Sequence, residues 1–448
     1  MTPRIATRIL TAALVLLPAA AIAGTGVVSL GDAIGLALKR NHLLSAATFE
    51  KGAAERDIDI SRSRYLPSVV LDESYTASNS PTNVFMMKLD EGRFAQSDFQ
   101  LNNLNSPQLS NDFRSSVTLR QPLFDPKIGY GLDAARTADE AAGFALARRR
   151  EDVAFEVFGA YLGVQRAKAQ LAAADKAVEA AREHERLAKV RNGAGTGLKS
   201  DELRADAYLA DMEQQRLTAE NDVTLARMRL ALATGAPAGS SLEVGEPVTA
   251  PGKPADTDLV ATAFANRQDL RALEKETERA GIGVKEAGSA WLPTASATAS
   301  YQMNSHDLPF GRDNDAWVVG AHLSWEAFDG FRRSGESGKA RALKSAADER
   351  LMQFRKEIAL EVTACTLRRD EAAKRLAFAR QALADSEEGA RLVQTRYANA
   401  LATMVDLLDA QTALNRSRSA VADCEADYAL AVGRLEHAAG IFLKEVMK

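Results

Sequence analysis

The stretch that decides the fold is RYANALATMVDLLD at residues 396–409, which separates two long alanine-rich runs. A related stretch, RNGAGTGLKSDEL at residues 191–203, occurs once earlier. In both, an aspartate stands ten positions after the arginine, and a leucine stands two positions after that aspartate. A short break between helical runs is typical of the tip of a helical hairpin. The sequence therefore predicts two hairpins, with a first tip at residues 192–200 and a second tip at residues 398–403.

The two tips belong to a duplication that covers most of the chain. They lie 205 positions apart, and so do Gly235 and Gly440, which follow the last helix of each half. The Leu-Pro pairs at residues 66–67 and 292–293 lie 226 positions apart and precede segments rich in Thr, Ser and Ala or Val. Because proline cannot continue a helix, each pair marks the end of a helix before a strand.

The duplication predicts two repeats of the same elements. For the first repeat, residues 24–235, we predict a helix at 29–64, strands at 68–80 and 113–124, an outer loop at 81–112, a long helix at 129–191 and, after the tip, a helix at 201–234. For the second repeat, residues 256–440, we predict a helix at 256–290, strands at 294–304 and 317–328, an outer loop at 305–316, a long helix at 332–397 and a helix at 404–439. A linker at 236–255 joins the repeats, and a tail follows at 441–448.

The first residues predict export from the cytoplasm. Arg4 and Arg8 precede an apolar run at residues 9–20, and Ala-Ile-Ala at residues 21–23 forms a small-x-small cleavage site. This pattern is typical of a secretory signal peptide, predicted here at residues 1–23. No apolar run of eighteen residues follows it, which excludes a helical membrane protein.

The predicted strands alternate between apolar and small or polar side chains. Trp317, Val319, Ala321 and Leu323 form the apolar set in one of them. Segments of about ten residues with this alternation suit a membrane β-strand, although an ordinary sheet in a soluble domain gives the same pattern. Aromatic residues near the strand ends predict the two girdles of a membrane barrel: Trp291, Tyr301, Trp317, Trp325 and Phe328.

The long helices favour the membrane interpretation. Val157, Val164, Leu171 and Val178 recur every seven residues with alanines between them, as in a tightly packed coiled coil. About sixty residues at 1.5 Å each give a rod of roughly 95 Å. Four strands cannot close a barrel, and an open sheet edge cannot face lipid. If the strands lie in a membrane, several chains must share one barrel.

Other chemistry finds no support in the sequence. The five histidines are scattered, without an H-E-x-x-H motif or a Cys-His cluster, so no metal site is expected. The glycine-rich residues 193–197 follow a helix rather than a strand, which favours a hairpin turn over a phosphate-binding loop. No catalytic set stands out, no cofactor is indicated, and a net charge of −4 without a basic patch argues against nucleic acid. Cys365 and Cys424 lie in separate helical runs, and no disulfide is expected between them.

The duplicated tips, the strand pairs and the helix-ending prolines together resemble the TolC-like outer-membrane efflux proteins over essentially the whole mature chain. The resemblance implies a mainly α fold with a transmembrane β part. It implies a homotrimer whose chains each contribute four strands to a twelve-stranded barrel, continued by a helical tunnel across the periplasm. It also implies a periplasmic adaptor protein and an inner-membrane pump of the RND or ABC type as partners.

The resemblance assigns roles to residues of both tips. Asp406 and Asp409, three positions apart on one helix face, correspond to the acids that ring the periplasmic mouth of the family, whereas helix capping by Thr403 also accounts for Asp406. The family contacts its adaptor through a Gly-Leu pair, and each repeat departs from that pair at one position. The expected docking residues are Gly195, Thr196, Ser200, Asp201, Ala400, Leu401 and Thr403.

These observations predict a passive exit duct in the outer membrane of a Gram-negative bacterium, in contact with outer-membrane lipid and extending into the periplasm. Energy would come from the partner pump, and the protein itself is not expected to be an enzyme. A soluble periplasmic coiled-coil scaffold is the alternative that the strand pattern leaves open.

Overall fold

The computed structural model describes residues 27–237, 240, 242–245 and 258–447. The predicted signal peptide at residues 1–23 lies outside the described residues, as does most of the predicted linker at 236–255. The described chain is mainly helical, with a four-stranded sheet joined to the helix ends that are remote from the two tips. The predicted combination of a helical part and a β part is therefore confirmed.

The elements follow the duplicated order of the sequence. In the first repeat they are β1 (Val27–Val28), α1 (Leu30–Arg40), α2 (His42–Ser63), β2 (Ser68–Ser78), α3 (Pro81–Asp90), a 3₁₀ turn (Gln96–Phe99), α4 (Leu101–Asn105), β3 (Ser110–Phe124), α5 (Pro126–Gly193) and α6 (Lys199–Thr234). Then come β4 (Glu243–Val244), α7 (Leu259–Asn266), α8 (Gln268–Ser289), β5 (Thr294–Ser305), β6 (Asn314–Ser324), α9 (Arg332–Ala398), α10 (Met404–Ala438) and α11 (Phe442–Val446).

The long helices α5 and α9 set the dimensions of the molecule. They contain 68 and 67 residues, each about 100 Å long at 1.5 Å per residue. Helix α5 begins at Pro126, and the Asp125 carboxylate accepts a hydrogen bond from the Lys127 N–H, which satisfies one free donor of the first turn. Val157, Val164 and Val178 of the seven-residue repeat are buried, whereas Leu171 is half-buried.

Each predicted first helix is in fact two helices, which corrects the predicted single helices at 29–64 and 256–290. The first breaks at Asn41, whose side-chain oxygen accepts hydrogen bonds from Leu43 N and Leu44 N and so caps α2. The second breaks at Arg267, between α7 and α8. At each break, a side chain donates a hydrogen bond to a carbonyl in the last turn of a later helix. Asn41 Nδ2 donates to the Ala233 carbonyl of α6, and Arg267 Nη1 donates to the Ala438 carbonyl of α10.

The glycines that end α6 and α10 dock against these breaks. Gly235 and Gly440 have φ angles of 69° and 70°, the left-handed conformation that glycine adopts without strain. A Cβ added at Gly235 would stand 2.5 Å from the Arg40 carbonyl oxygen, and one at Gly440 would stand 3.0 Å from Arg267 N. Close backbone approach, as well as the φ angle, therefore requires glycine at both positions.

The core near the repeat junction contains a contact that the sequence did not indicate. The short strands β1 and β4 pair in parallel, Val27 with Glu243 and Val28 with Val244. The buried Tyr161 of α5 fixes this pair, since its hydroxyl donates to the Val28 carbonyl and accepts from the Gly245 N–H. A two-residue strand carries too little pattern to be recognised in a sequence.

Several other boundaries differ from the prediction. The outer loop predicted at 81–112 contains α3, a 3₁₀ turn and α4, and β3 already begins at Ser110. The strand predicted at 317–328 ends at Ser324, and the tail predicted at 441–448 contains α11. Cys365 and Cys424 are both buried free thiols. Of the described helices, none combines the length and the apolar character that a membrane span needs.

Candidate functional site

The two tips have the same backbone geometry. In the first, Thr196 N donates to the Arg191 carbonyl at 3.0 Å, and Gly195 has a φ angle of 70°. In the second, Leu401 N donates to the Arg396 carbonyl at 2.8 Å, and Ala400 has a φ angle of 58°. These are left-handed helix ends of the kind that glycine usually occupies. The second tip therefore holds an alanine in a strained conformation at the position where the first tip has glycine.

The equivalent arginines of the two tips make different contacts. Arg396 donates to the Leu401 carbonyl of its own turn, at 3.4 Å. Arg191 instead reaches the other hairpin, where its Nη2 donates to the carbonyls of Tyr397 and Ala398 at 3.0 and 3.2 Å. Its guanidinium lies over the Tyr397 ring, 4.2 Å from the centroid. The link between the hairpins thus uses one arginine of the duplicated pair.

An apolar cluster continues this link. It joins Ala188 of α5 and Ala205 of α6 to Tyr397, Met404 and Leu407 of the second hairpin, all of them buried. Alanine at the first two positions lets the helices approach closely, and the larger side chains of the second hairpin fill the space. The four helix ends are therefore packed together in one cluster.

The two acids of the second tip have different environments. Asp406 forms a capping box with Thr403: Thr403 N and Oγ1 donate to Asp406 Oδ2 at 2.9 and 2.7 Å, and Asp406 N donates back to Thr403 Oγ1 at 3.2 Å. The hydrogen bonds from the Thr403 backbone and hydroxyl hold the pKa of Asp406 below its usual value. Asp409 is exposed and has no hydrogen bond or ion pair with any residue that the structure describes.

The first tip lacks an equivalent capping box. Its helix α6 has Leu198 at the N-cap, without a side-chain hydrogen bond, so Ser200 and Asp201 do not form a cap pair like that of Thr403 and Asp406. Asp201 nevertheless lies in the first turn of α6, where a carboxylate suits the helix dipole. Thr196 Oγ1 donates to the Arg191 carbonyl at 3.3 Å, and Leu401 of the second tip is 68% exposed.

The four-stranded sheet has two unlike faces. Its order is β2-β3-β5-β6, antiparallel throughout, so side chains that are directly paired lie on one face. One face carries the row Leu71, Val117, Tyr301 and Trp317 and, next to it, the row Val69, Leu119, Ala299 and Val319. The other face carries the row Ser74, Arg114, Asn304 and Asn314 and, further along, the row Val70, Thr118, Ser300 and Val318. The first face is apolar over most of its length, and the second is mostly polar or small.

The aromatic residues predicted as girdles lie at two levels. Tyr301 and Trp317 are directly paired in the outer half of the sheet, and the Tyr301 hydroxyl donates to Asp315 at 2.9 Å. At the other level, Trp325 Nε1 donates to the Trp291 carbonyl at 3.2 Å, and Phe328 follows in the connection to α9. The guanidinium of the buried Arg333 lies 4.4 Å from the Trp291 ring centroid. The four aromatic side chains other than Tyr301 are at least half exposed in the single chain.

The structure brings together residues that sequence reasoning treated separately. The contact between Arg191 and Tyr397 is not predicted by the sequence, although both residues lie in the duplicated tip stretches. Within the described residues, no group of three or more His, Cys, Asp or Glu side chains is arranged to hold a metal ion.

Comparisons with known proteins agree on one family. A model of the outer membrane efflux protein family matches residues 33–236 and 259–441. Among curated proteins, the chain is 28% identical to the proteases secretion protein PrtF of Dickeya chrysanthemi over 206 residues, 46% of this chain. That match spans 42% of the length of PrtF. The outer membrane efflux protein BepC of Brucella suis biovar 1 is 23% identical over 446 residues, covering 96% of this chain and 90% of BepC.

Solved structures show the same fold. The open state of the MtrE outer membrane channel of Neisseria gonorrhoeae superposes with a TM-score of 0.76 over 94% of this chain and 90% of that chain, at 19% identity. The outer membrane protein VceC of Vibrio cholerae superposes with a TM-score of 0.75 over 92% of this chain and 96% of that chain, also at 19% identity.

Proposed function

The chain belongs to the outer membrane efflux protein family, and we propose that three copies of it form the exit duct of a tripartite efflux or type I secretion apparatus. The family is one of outer-membrane channels and not of enzymes. Its location in the outer membrane excludes the soluble periplasmic scaffold that the strand pattern had left open.

The observation that carries the proposal is a two-faced sheet with two free edges. Among the described residues, strands β2 and β6 each have one partner, so each leaves a row of unpaired N–H and C=O groups. Hydrocarbon cannot satisfy those groups. Pairing β6 of one copy with β2 of the next would satisfy them, and three copies would supply the twelve strands of a closed membrane barrel.

The apolar face of the sheet is close in height to the apolar band of an outer-membrane barrel. Trp317 and Trp325 are eight residues apart, about 26 Å along an extended strand. A strand tilt of about 40° reduces this to about 20 Å along the barrel axis, close to the apolar band of about 25 Å in outer-membrane barrels. We therefore assign the apolar face to outer-membrane lipid and the polar face to the pore.

The barrel assignment is tested by removing one strand pair. Replacing residues 294–328 with a short polar linker leaves two strands per chain, too few to close a barrel with three copies. This variant should accumulate outside the outer-membrane fraction, whereas replacing the outer loop at 306–312 alone should leave insertion intact. Outer-membrane insertion of the strand-deleted chain at the level of the parent would contradict the shared barrel.

The tips are the proposed contact with partner proteins. Leu401 and Ala400 are exposed and are not part of the apolar cluster that joins the hairpins, and Gly195, Thr196 and Ser200 of the first tip are exposed as well. We propose that a periplasmic adaptor binds these turns, at Gly195, Thr196, Ser200, Asp201, Ala400, Leu401 and Thr403. Through the adaptor, an inner-membrane pump of the RND or ABC type would deliver cargo.

Asp406 and Asp409 are the proposed gate. Three copies would bring six carboxylates around one narrow axis, where like charges attract cations and bind multivalent ions. Because Asp406 also caps α10, the informative variant removes the charge and keeps the shape of both side chains: Asp406→Asn with Asp409→Asn. Single-channel recordings of this variant should show weaker cation preference and loss of block by trivalent cations, and Asp201→Asn at the first tip is the matched control. If the double variant is blocked as tightly as the parent, the two acids serve α10 only as helix-start residues.

A further inference from the structure

The outer loop between β2 and β3 is folded, and one end of it is fixed to the sheet. Helix α3 ends at Asp90, whose carboxylate accepts a hydrogen bond from Arg114 Nη2 at 2.8 Å. The Asp90 carbonyl accepts one from Asn314 Nδ2 at 3.0 Å. Gly92 follows in a left-handed turn, and a Cβ there would stand 3.4 Å from the Asn314 side chain. The loop thus contacts strands β3 and β6, which are separated by β5 in the sheet.

These contacts identify the side of the sheet that the loop covers. Arg114 and Asn314 lie in one row with Ser74 and Asn304, on the polar face. Asn304 Nδ2 in turn donates to both oxygens of the buried Asp112, a residue of the same face. The apolar face would lie against lipid and the polar face against the pore. The loop therefore folds inward across the pore side of the outer rim rather than outward.

A buried ionic cluster holds the docked end. The Glu91 side chain is fully buried and accepts a hydrogen bond from Arg93 Nε at 2.6 Å. Arg93 Nη2 lies 2.8 Å from His306 Nδ1 in the second outer loop, which thereby joins the same cluster. Burial raises the pKa of Glu91, against the opposing effect of Arg93. A loop that was only a solvated cap would not bury a carboxyl group against a second loop.

The rest of the segment has a small aromatic core and exposed apolar side chains. Phe94 makes edge-to-face contacts with both Phe85 and Phe99, with ring centroids 4.7 and 5.1 Å apart. Four apolar side chains in or next to this small core are at least 43% exposed in the single chain: Met86, Leu89, Phe99 and Leu101. Exposed apolar side chains grouped on a folded segment mark a surface that contacts another protein or a membrane, and a segment folded over the pore side does not face the membrane.

The size of the barrel identifies what covers it. Twelve strands spaced about 4.8 Å apart and tilted about 40° enclose a backbone circle roughly 24 Å across. Three helices, each about 10 Å wide and placed side by side, fill a circle of roughly 22 Å. Three inward-folded segments at one rim cannot avoid touching each other. The occupant of the apolar surface is thus the same segment of a second copy.

We propose that residues 81–109 form a lid that folds over the pore at the outer surface, and that the three lids of a trimer pack against one another through their apolar side chains. This inference rests on the proposed function, because it takes the polar face of the sheet to be the pore wall. The duct would then be closed at the outer rim as well as at the periplasmic tips.

The lid is tested by access to the pore wall from outside intact cells. Thr298→Cys places a thiol on the polar face, and Ala299→Cys places one on the apolar face as the matched control. Each is made in the full chain and in a lidless chain in which two residues, Asn and Gly, replace residues 79–109. Ser78 and Ser110 are directly paired, so such a two-residue turn fits between them. The probe is a membrane-impermeant maleimide carried on a polymer of about the width of one helix, roughly 10 Å.

We expect Thr298→Cys to react on the order of tenfold or more faster in the lidless chain, since access scales with the open fraction. Ala299→Cys should not react in either chain. Equal reaction rates for Thr298→Cys with and without residues 79–109 would overturn the lid while leaving the pore assignment in place. Reaction at Ala299→Cys but not at Thr298→Cys in the lidless chain would overturn both the pore assignment and the lid.

The contact between lids has its own test. Leu101→Cys, 75% exposed on the lid, should give chains linked in pairs by a disulfide when cells are treated with a mild oxidant. Val319→Cys, 68% exposed on the apolar face, should give none and is the control, and the parent with its two buried thiols is the blank. Absence of linked chains for Leu101→Cys, together with full access to Thr298→Cys, would show that the lids stand apart.

Discussion

The guanidinium of Arg191 lies over the ring of Tyr397, 4.2 Å from its centroid, and donates to the Tyr397 carbonyl at 3.0 Å. One residue belongs to the first hairpin and the other to the second, so this contact holds the two tips together. Among the described residues, the side chain of its counterpart in the duplication, Arg396, donates only within its own turn. Identical residues at equivalent positions thus have unequal structural importance.

Arg191→Ala should loosen the second tip. The variant loses two hydrogen bonds from a charged donor and a cation–π contact, together worth about 1–3 kcal/mol for a partly exposed group. Amide hydrogen exchange at residues 397–409 should become faster, by roughly tenfold for each 1.4 kcal/mol lost. Arg396→Ala is the matched control and should accelerate exchange much less. If both variants behave alike, Arg191 does not couple the hairpins.

Ala400→Gly should stabilise the second tip. Ala400 has a φ angle of 58°, which costs an L-residue with a Cβ roughly 1 kcal/mol relative to glycine. Part of that gain is offset by the greater freedom of glycine in the unfolded chain. The reverse change at the equivalent position, Gly195→Ala, should destabilise the first tip. Limited proteolysis at each tip compares them, and slower cleavage after Gly195→Ala would contradict the strain argument.

Much of the fold was predictable because it depends on local signals. Helix-ending prolines, seven-residue spacing and the duplicated tips each act over a few residues, so they can be recognised in the sequence. The break at Asn41 also has a local signal, since asparagine is a favoured N-cap, but helical sequence on both sides of it conceals the break. The break at Arg267 has no side-chain cap and depends instead on its bond to the distant Ala438 carbonyl.

Contacts between distant segments were the part that could not be predicted. The lid docks through Asp90, Arg114 and Asn314, which are up to 224 positions apart in sequence. Nothing in the sequence around Asp90 distinguishes a docked helix end from a solvated one. For the tips, the aligned positions identified Arg191 and Arg396 as equivalent, and only the packing of the hairpins makes them different.

Gly235→Ala should destabilise the junction between α6 and the first helix break. The added Cβ would stand 2.5 Å from the Arg40 carbonyl oxygen, and the φ angle of 69° adds strain, so we expect a loss of about 2–4 kcal/mol. Gly283→Ala in α8 is the control, because no neighbouring atom lies within 4 Å and alanine favours a helix. Thermal unfolding in detergent should separate the two variants. Equal melting temperatures would contradict the close approach at Gly235.

His184 should make the tip region sensitive to acid. The ring is buried in α5, and neither of its nitrogens has a hydrogen-bond partner among the described residues. Burial lowers the pKa of His184, with a smaller opposing effect from Glu183. A lowered pKa means that the unfolded chain binds the proton first, so stability is full above about pH 6.5 and falls as the pH drops below it.

The test of this sensitivity is His184→Leu, which keeps an apolar side chain at the buried position. Hydrogen exchange in α5 near residue 184 should accelerate between pH 7 and pH 5.5 in the parent and change less in the variant, after correction for the intrinsic pH dependence of exchange. His42→Leu, at an exposed position in α2, is the control. The same acceleration in His184→Leu as in the parent would assign the acid response to other groups.

The central claim is that three chains share one barrel. The measurement that tests it most directly is the mass of the detergent-solubilised particle that conducts ions, determined by native mass spectrometry on the same fraction that is recorded in planar bilayers. We predict that conductance follows a species of three chains and disappears when that species dissociates. A single chain that conducts ions by itself would contradict the shared barrel and, with it, the assignment of the strand edges, the gate and the lid.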